Sequence, residues 1–314
     1  MAQPDPHIDQ ESRLLSFIAQ FTARTGIEVG TRRGAFIRCL DERATELGFP
    51  TLGHYLAQVE QPGPAEVGVL VRSLLLGYTW FFRDLDQLQL LMELLTARSP
   101  SAHQPSIWIA GCATGEEAYS VAMMLVGSQS QTPPHILASD IDEQSLAYAR
   151  SGRYPAGSLR LIPQQYRGLV HVAHGHGGTV QMSGELQRRV RFASHNLMLP
   201  APQPPSGAGW DVISCRNVLM HLAREQRATA LRVLARALAP GGCLLVGASE
   251  YLHDQEWQEG PERLERCERG GRFFLRRPPG SSGLFNIAPI SAGGFQCCEA
   301  GSARREGPDP AGSI

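Results

Sequence analysis

The sequence contains no lysine, and all 29 of its basic residues are arginines. We interpret this absence as a coding bias without functional meaning. The arginines are balanced by 30 acidic residues, which leaves a net charge of −1. Such a balance gives no reason to expect bulk binding to nucleic acid or to a membrane surface.

Long apolar runs are also missing from the chain. No run approaches the ~18 residues that a membrane-spanning helix needs. The stretch 1–11 is polar and acidic, which is not the pattern of a signal peptide. We therefore expect a cytoplasmic protein with no direct membrane insertion.

The cysteines lack the spacing of metal or redox sites. There are seven, an odd number, and none forms a CxxC pair, so neither a disulfide framework nor a zinc site is predicted. Acidic partners do not accompany the histidines that could suggest a metal site, which are His171, His174, His176 and His195. We expect reduced thiols and no metal.

The pattern of apolar residues changes near residue 106. Before it, apolar residues recur at helical spacing, as at Leu14, Ile18 and Phe21. After it, short buried strands alternate with helices, which is typical of a mainly parallel sheet covered by helices. The boundaries that we expect are a disordered N-terminus at 1–11, a helical domain with its linker at 12–83, an α/β domain at 84–277 and a disordered tail or linker at 278–314.

One stretch interrupts the alternation of strands and helices. Residues 168–183 alternate polar and apolar side chains around a glycine-rich turn, which predicts a small antiparallel hairpin. We expect it to form an inserted β-subdomain at about 165–190.

A candidate nucleotide site follows the first two strands of the α/β domain. The small residues Gly111-Cys112-Ala113-Thr114-Gly115 lie between a strand and a helix, where a ligand can approach the backbone and the helix N-terminus. Glu116 and Glu117 would repel a pyrophosphate there but suit a cationic ligand. Asp140 ends the second strand, where an acidic residue holds ribose hydroxyls.

Two other interpretations of this loop stand beside that one. A glycine-rich turn after a strand can be a tight connection without a ligand. A dinucleotide would satisfy the loop and Asp140 but not the acidic helix start, and the loop is not a GxGxxG fingerprint. A sulfonium-bearing nucleoside without phosphates satisfies all three features, so we favour it.

Six motifs in order resemble those of the chemotaxis receptor glutamate methyltransferases, the CheR-type family. They are Thr79-Trp80-Phe81-Phe82-Arg83-Asp84, the loop from Trp108 to Ser120, Ala138-Ser139-Asp140-Ile141-Asp142, Ala149-Arg150-Ser151-Gly152-Arg153-Tyr154, His195-Asn196-Leu197 and Cys215-Arg216-Asn217-Val218. The resemblance covers roughly residues 12–277.

The resemblance implies a fold and a cofactor. The fold is a class I methyltransferase-like, doubly wound α/β sheet with an inserted antiparallel β-subdomain, preceded by an all-α substrate-recognition domain. The cofactor is S-adenosylmethionine, which leaves as S-adenosylhomocysteine. Its implied contacts are the positions of Gly77, Thr79, Arg83, Gly111, Glu116, Asp140, Asn196, Leu197, Arg216 and Asn217.

Three positions bear on catalysis. Gly77 stands where the family usually has asparagine, and His221 stands where it has a tyrosine thought to act near the methyl group. The family also implicates an arginine on the helix after the Thr79 motif, for which Arg98 is the candidate. The catalytic candidates are therefore Arg98 and His221, and the alternative function is a catalytically weakened, cofactor-binding regulatory or partner-binding module.

The expected partner is the cytoplasmic domain of a methyl-accepting chemoreceptor. Glutamate, with a pKa near ~4.3, is already an anionic nucleophile at neutral pH, so we expect catalysis to come from positioning and desolvation. A basic face on the helical domain is the candidate for receptor binding, comprising Arg32, Arg33, Arg38 and Arg43. We expect a monomer that does not bind nucleic acid.

Overall fold

The computed structural model describes residues 6–59, 63–75, 79–98, 104–128, 133–173, 178–247, 250, 263–279 and 296–297. Gly77 lies outside these residues, as do positions 174–177 of the predicted hairpin turn and most of the tail. In the part of the chain that is described, no helix is both long and apolar enough to cross a bilayer.

The N-terminal domain is helical, as predicted. Its helices are α1 (Pro6–Thr25), α2 (Arg33–Glu46), α3 (Leu52–Gln58) and α4 (Pro64–Leu74). Phe21, Phe36 and Tyr55 are fully buried between them, so the apolar stripe of each helix faces a common core. Helix α1 begins before residue 12, where the domain was expected to start, because proline is accepted in the first helical turn and no glycine or proline follows it there.

The α/β domain contains five further helices and the main strands of the fold. The helices are α5 (Leu85–Ala97), α6 (Glu116–Gly127), α7 (Glu143–Ser151), α8 (Gly184–Arg189) and α9 (Arg224–Ala237). The strands are β1 (Ser106–Ala110), β2 (His135–Asp140), β3 (Arg153–Pro155), β4 (Val170–Ala173), β5 (Thr179–Met182), β6 (Val190–Ser194), β7 (Trp210–Cys215), β8 (Leu238–Val246), β9 (Glu265–Arg269) and β10 (Arg272–Arg276).

Seven of these strands form the main sheet in the order β6-β2-β1-β7-β8-β10-β9. The first five are parallel, and β10 and β9 form an antiparallel hairpin at the edge. A two-residue strand, β11 (Gln296–Cys297), pairs with β9 within the segment where no structure was expected. The strand order reverses between β1 and β7, which opens a ligand crevice at their carboxyl ends.

The sheet is buried on both faces, as the apolar strand sequences require. Trp108 of β1 faces a core shared with α9 and the N-terminal domain, whereas Ile107 and Ile109 face the opposite core with α5 and α6. This alternation follows from the two-residue period of a strand. The N-terminal helices and the sheet are therefore joined by one continuous apolar cluster.

The inserted β-subdomain is larger than the predicted hairpin. Strands β4 and β5 form that hairpin, but β3 adds a third strand on the far side of β5. Two 3-10 segments, Ala156–Leu161 and Gln164–Leu169, connect β3 to β4. The insertion therefore begins near residue 153, about twelve residues before the position expected from the hairpin pattern alone; a three-residue strand carries too little periodicity to be recognised in a sequence.

Candidate functional site

A cavity of about 340 Å³ lies at the carboxyl ends of β1, β2 and β7. Its volume is in the range of roughly 300–1,000 Å³ that is common for small-molecule sites. The lining residues are Thr25, Ile27, Leu75, Thr79, Arg83, Gly111, Cys112, Ala113, Glu117, Ser139, Asp140, Ile141, His195, Asn196, Leu197, Arg216, Asn217, Val218, Met220, His221 and Leu222.

The loop after β1 forms the floor of this cavity. Gly111 has φ +80°, and a Cβ there would lie 2.3 Å from the side chain of Val218, so only glycine fits. The backbone N–H groups of Gly111 and Cys112 both donate to the Ser139 carbonyl, at 2.8 and 2.9 Å. The loop is therefore held against β2 before any ligand binds.

Asp140 lies at the end of β2, where the sequence placed a ribose-binding carboxylate. Its Oδ2 accepts from the Ala113 N–H at 2.8 Å, and its Oδ1 accepts from the Asp142 N–H at 3.0 Å. Burial raises the pKa of Asp140, and the two backbone donors oppose that shift. The carboxylate thus fixes the loop after β1 and also borders the cavity.

The acidic start of α6 contributes Glu117 to the cavity wall, and Glu116 is not among the lining residues. Glu116 is buried and accepts from the Thr114 hydroxyl at 2.6 Å, and burial raises its pKa. Glu117 accepts from the Ser214 hydroxyl at 2.6 Å and lies 3.4 Å from Nη1 of Arg216. Neighbouring helix residues point about 100° apart, so Glu117 faces the cavity and Glu116 does not, and the expected cofactor contact of Glu116 stays a prediction.

Arg216 brings charge into the wall of the cavity. Its side chain is only 1% exposed, and Nη2 donates to Asp84 at 2.9 Å and to the Arg83 carbonyl at 3.1 Å. Its Nε is buried and has no hydrogen-bond partner among the described residues. A buried, unsatisfied donor beside an open cavity indicates a place for a ligand acceptor.

The motif residues before α5 divide between the cavity and the core. Thr79 and Arg83 line the cavity, and the Arg83 guanidinium lies over the Trp80 ring at 4.6 Å. Phe81 and Phe82 are buried and pack on Tyr154 and Tyr166 of the β-subdomain region. The motif therefore connects the inserted β-subdomain to the cavity.

The turn after β7 is held by a residue that the sequence analysis missed. The buried carboxylate of Glu250 accepts from the N–H groups of Asn217, Val218 and Met220 at 2.9, 2.9 and 3.2 Å, and from Gly247 at 2.6 Å. The three bonds from Asn217, Val218 and Met220 fix the conformation of a turn in which Asn217 has φ +58°. No local motif marks Glu250, since three of its four partners lie in a turn about thirty residues away.

The N-terminal domain supplies part of the cavity wall. Thr25 and Ile27 line the cavity, and the segment around them pairs with the turn after β7. The Glu28 N–H donates to the His221 carbonyl at 2.9 Å, and the Ala223 N–H donates to the Gly26 carbonyl at 2.9 Å. No local pattern in the sequence marks Thr25 or Ile27 as cavity residues.

Asn196 and Leu197 line the cavity, and their contact with the cofactor, which the resemblance implies, stays a prediction. The Asn196 side chain donates to the Arg24 carbonyl at 2.7 Å and accepts from the Met198 N–H at 2.9 Å. Asn196 therefore links this wall to helix α1. His195 also lines the cavity, and burial lowers its pKa.

Arg98 lies away from the cavity, which corrects its assignment as a catalytic residue. Its Nε is 2.6 Å from Oδ1 of Asp211, and its guanidinium contacts the Pro240 carbonyl. Asp211 is at the amino end of β7, whereas the cavity lies at the carboxyl ends of the strands. Since α5 runs 13 residues from the Thr79 motif, its C-terminus is about 20 Å from that motif.

The four arginines proposed to bind a receptor do not form one free basic face. Arg32 contacts His221 and the Leu74 carbonyl, Arg33 pairs with Glu11, and Arg43 pairs with Glu66 at 2.9 Å. Arg38 is exposed and has no ion pair among the described residues. Three of the four are thus engaged within the protein.

The lining residues fit S-adenosylmethionine. Carboxylates of Asp140 and Glu117 suit ribose hydroxyls and the positive groups of the cofactor, and the unpaired Nε of Arg216 suits its carboxylate. No pyrophosphate-binding arginine or free helix N-terminus is needed for such a ligand. The residues that would hold it include Thr79, Arg83, Leu197 and Asn217, all on the wall.

Comparisons with known proteins agree with this site. Residues 78–265 match the family model described as CheR methyltransferase, SAM binding domain. The chemotaxis protein methyltransferase of Escherichia coli is 33% identical over 262 residues, covering 82% of this chain and 88% of that protein. The protein of the same name from Salmonella typhimurium is 33% identical over 233 residues, covering 72% and 79%.

The family match includes the motif at Thr79, the loop after β1, Asp140 and the turn after β7. The relatives extend the similarity over most of the remaining chain. The chain therefore belongs to the CheR methyltransferase family and is an S-adenosylmethionine-dependent methyltransferase.

Proposed function

We propose that this methyltransferase methylates glutamate side chains in the cytoplasmic domain of a chemoreceptor. The observation that carries the proposal is the joint wall of the cofactor cavity, in which the helical domain contributes Thr25 and Ile27 beside the methyltransferase residues. A receptor helix bound to the helical domain would present its side chains at this wall. The relatives named chemotaxis protein methyltransferases support the choice of partner.

The chemistry requires little proton transfer. S-adenosylmethionine, when bound, would supply an electrophilic methyl group: a lone pair of the glutamate carboxylate would form the O–CH₃ bond as the C–S bond broke, with its electron pair left on sulfur. The glutamate is already ionised at neutral pH, and the neutral thioether needs no proton. The residues of this chain therefore act by orienting the two reactants and excluding water.

The electrostatics of the cavity favour a bound cation next to an incoming anion. Arg216 and Glu117 neutralise each other on one wall, and Asp140 lies on the floor. Neither Cys112 nor Cys215 is available as a competing nucleophile, because burial raises the pKa of both thiols well above the usual range. The alternative of a catalytically weakened binding module is not favoured, since the relatives are named as methyltransferases.

The direct test is transfer of a labelled methyl group to receptor cytoplasmic domains from the same organism. We expect base-labile label on the receptor, because glutamyl methyl esters hydrolyse in alkali, and no label with receptors whose methylation-site glutamates are replaced by alanine. Cofactor binding by calorimetry without transfer to any receptor would contradict the proposed function.

We propose further that the helical domain makes the main receptor contact. Arg38 is its exposed, unpaired basic group in the described part of the chain, so Arg38→Ala should weaken receptor methylation and reduce its salt sensitivity. Arg232→Ala on the exposed face of α9 is the matched control. Strong dependence on the last receptor residues, with no effect of Arg38→Ala, would favour docking on the β-subdomain instead.

A further inference from the structure

His221 and Arg32 form a contact between the turn after β7 and the helical domain. Nη2 of Arg32 lies 3.2 Å from Nδ1 of His221, although the two residues are 189 positions apart. Arg32 follows the segment that lines the cavity from the helical domain, and His221 lines the cavity from the turn after β7. The contact therefore joins the two domains at the cavity wall.

The chemistry of the two groups fixes the direction of this hydrogen bond. A guanidinium has five N–H donors and no acceptor, so Nδ1 of His221 must be the acceptor. A neutral imidazole that accepts at Nδ1 carries its proton on Nε2. Among the described residues none forms a hydrogen bond with Nε2, and His221 lines the cavity, so this N–H has no partner there that would compete with a ligand.

The charge of Arg32 also keeps His221 neutral. Burial first, and then Arg32, lower the pKa of His221. The elements packed against the turn carry further charged groups, namely Glu28, Glu250, Arg224 and Glu225, but Arg32 is the charged group whose field shifts His221. An uncharged donor suits this wall, since a cation there would repel a sulfonium and would weaken the nucleophilicity of the incoming carboxylate.

We propose that His221 is a catalytic residue whose Nε2–H holds one oxygen of the substrate carboxylate while the other oxygen attacks the methyl group, and that Arg32 is its positioning residue. The proton stays on His221 throughout, because the reaction forms an ester and a thioether without proton transfer. Arg32 itself is anchored by a second bond from Nη1 to the Leu74 carbonyl at 2.9 Å. This inference rests on the proposed function.

A double-mutant cycle separates positioning from a merely structural role. Arg32→Met removes both hydrogen bonds of the guanidinium but keeps an unbranched apolar stem. In the wild-type background it should slow methyl transfer at saturating cofactor roughly 3–10-fold, the size of one hydrogen bond. In a His221→Tyr background the hydroxyl carries its own proton and needs no partner, so Arg32→Met should change the rate less than about twofold.

The pH dependence gives a second readout. In Arg32→Met the pKa of His221 should rise, so the rate should fall further as the pH is lowered from 8 to 6. Wild-type protein and both proteins that carry the His221→Tyr substitution should lack this additional loss. The thermal midpoint and the cofactor affinity are measured on all four proteins as controls. Loss of the Arg32 bond to the Leu74 carbonyl should change these two quantities equally in both backgrounds.

The tautomer itself can be observed without any receptor. With ¹⁵N-labelled histidine, the His221 signal of the wild-type protein should show the tautomer protonated on Nε2. In Arg32→Met the signal should show a mixture of tautomers and a higher pKa. The signal is assigned to His221 because it should be missing from the spectrum of His221→Tyr. Equal rate losses in both backgrounds, or a wild-type proton on Nδ1, would overturn the inference. If no receptor were methylated by the wild-type protein, the proposed function would fail while the NMR result still tested the contact.

Discussion

Replacement of Glu250 by glutamine should destabilise the turn after β7, which forms part of the wall of the cofactor cavity. In the native protein each carboxylate oxygen accepts two backbone bonds: Oε2 from Gly247 and Asn217, and Oε1 from Val218 and Met220. A glutamine side chain keeps one accepting oxygen and places an NH₂ group against the other two N–H donors. Two backbone donors are thereby left unpaired, either Val218 and Met220 of the turn that carries the cavity residues or Asn217 of that turn together with Gly247 after β8.

The expected magnitude follows from those two donors. An unpaired buried donor costs about 1–3 kcal/mol, and partial relaxation of an edge turn towards water reduces the sum. We expect Glu250→Gln to lower the free energy of unfolding by about 2–4 kcal/mol, a large part of the roughly 5–15 kcal/mol of a typical domain. The thermal midpoint should fall by roughly 5–10 °C.

Two measurements check this prediction. Thermal unfolding gives the midpoint, and calorimetric titration gives the S-adenosylmethionine affinity, which should fall because Asn217 and His221 lie on the loosened turn. Glu185→Gln is the control, since Glu185 is 47% exposed and pairs with Arg189 on the same helix; it should change stability by less than about 1 kcal/mol. A Glu250→Gln protein that behaves like the control in both assays would refute the reasoning.

Three further predictions concern residues that the sequence singled out. Asp140→Ala should weaken S-adenosylmethionine binding by about 1–3 kcal/mol, because it removes a cavity carboxylate and frees the Ala113 N–H; unchanged affinity by titration would show that the ribose lies elsewhere. Arg83→Ala should abolish methyl transfer with an unchanged circular dichroism spectrum, and near-normal turnover would contradict its place on the wall. Arg98→Ala should lower the free energy of unfolding by roughly 1–3 kcal/mol, since it removes the ion pair with the buried Asp211 carboxylate, which keeps its bonds from the Ser106 N–H and hydroxyl, while the folded protein keeps its cofactor affinity; a stable variant with impaired transfer would restore Arg98 to catalysis.

The sequence by itself determined the features that are encoded locally. Strand β1 is a short apolar run followed by small residues, and Gly111 is required by its positive φ and by the approach of Val218. Asp142 caps α7 by accepting from the N–H groups of Gln144 and Ser145, and aspartate is one of the residue types preferred at that position. The order of such signals was sufficient for the doubly wound fold and for placing Asp140 at the cavity.

Only the tertiary structure decided which neighbouring side chains face the cavity and which distant ones meet there. Glu116 and Glu117 are equivalent in a sequence, but the helix phase directs the first to Thr114 and the second to Ser214 and the cavity. The order of the motifs assigned Arg98 to the catalytic site, but α5 is 13 residues long and carries Arg98 to the amino ends of the strands, away from the cavity. Glu250 and Arg32 act on the turn after β7 from positions that no local period links to it, because a contact between remote segments depends on how the whole chain packs.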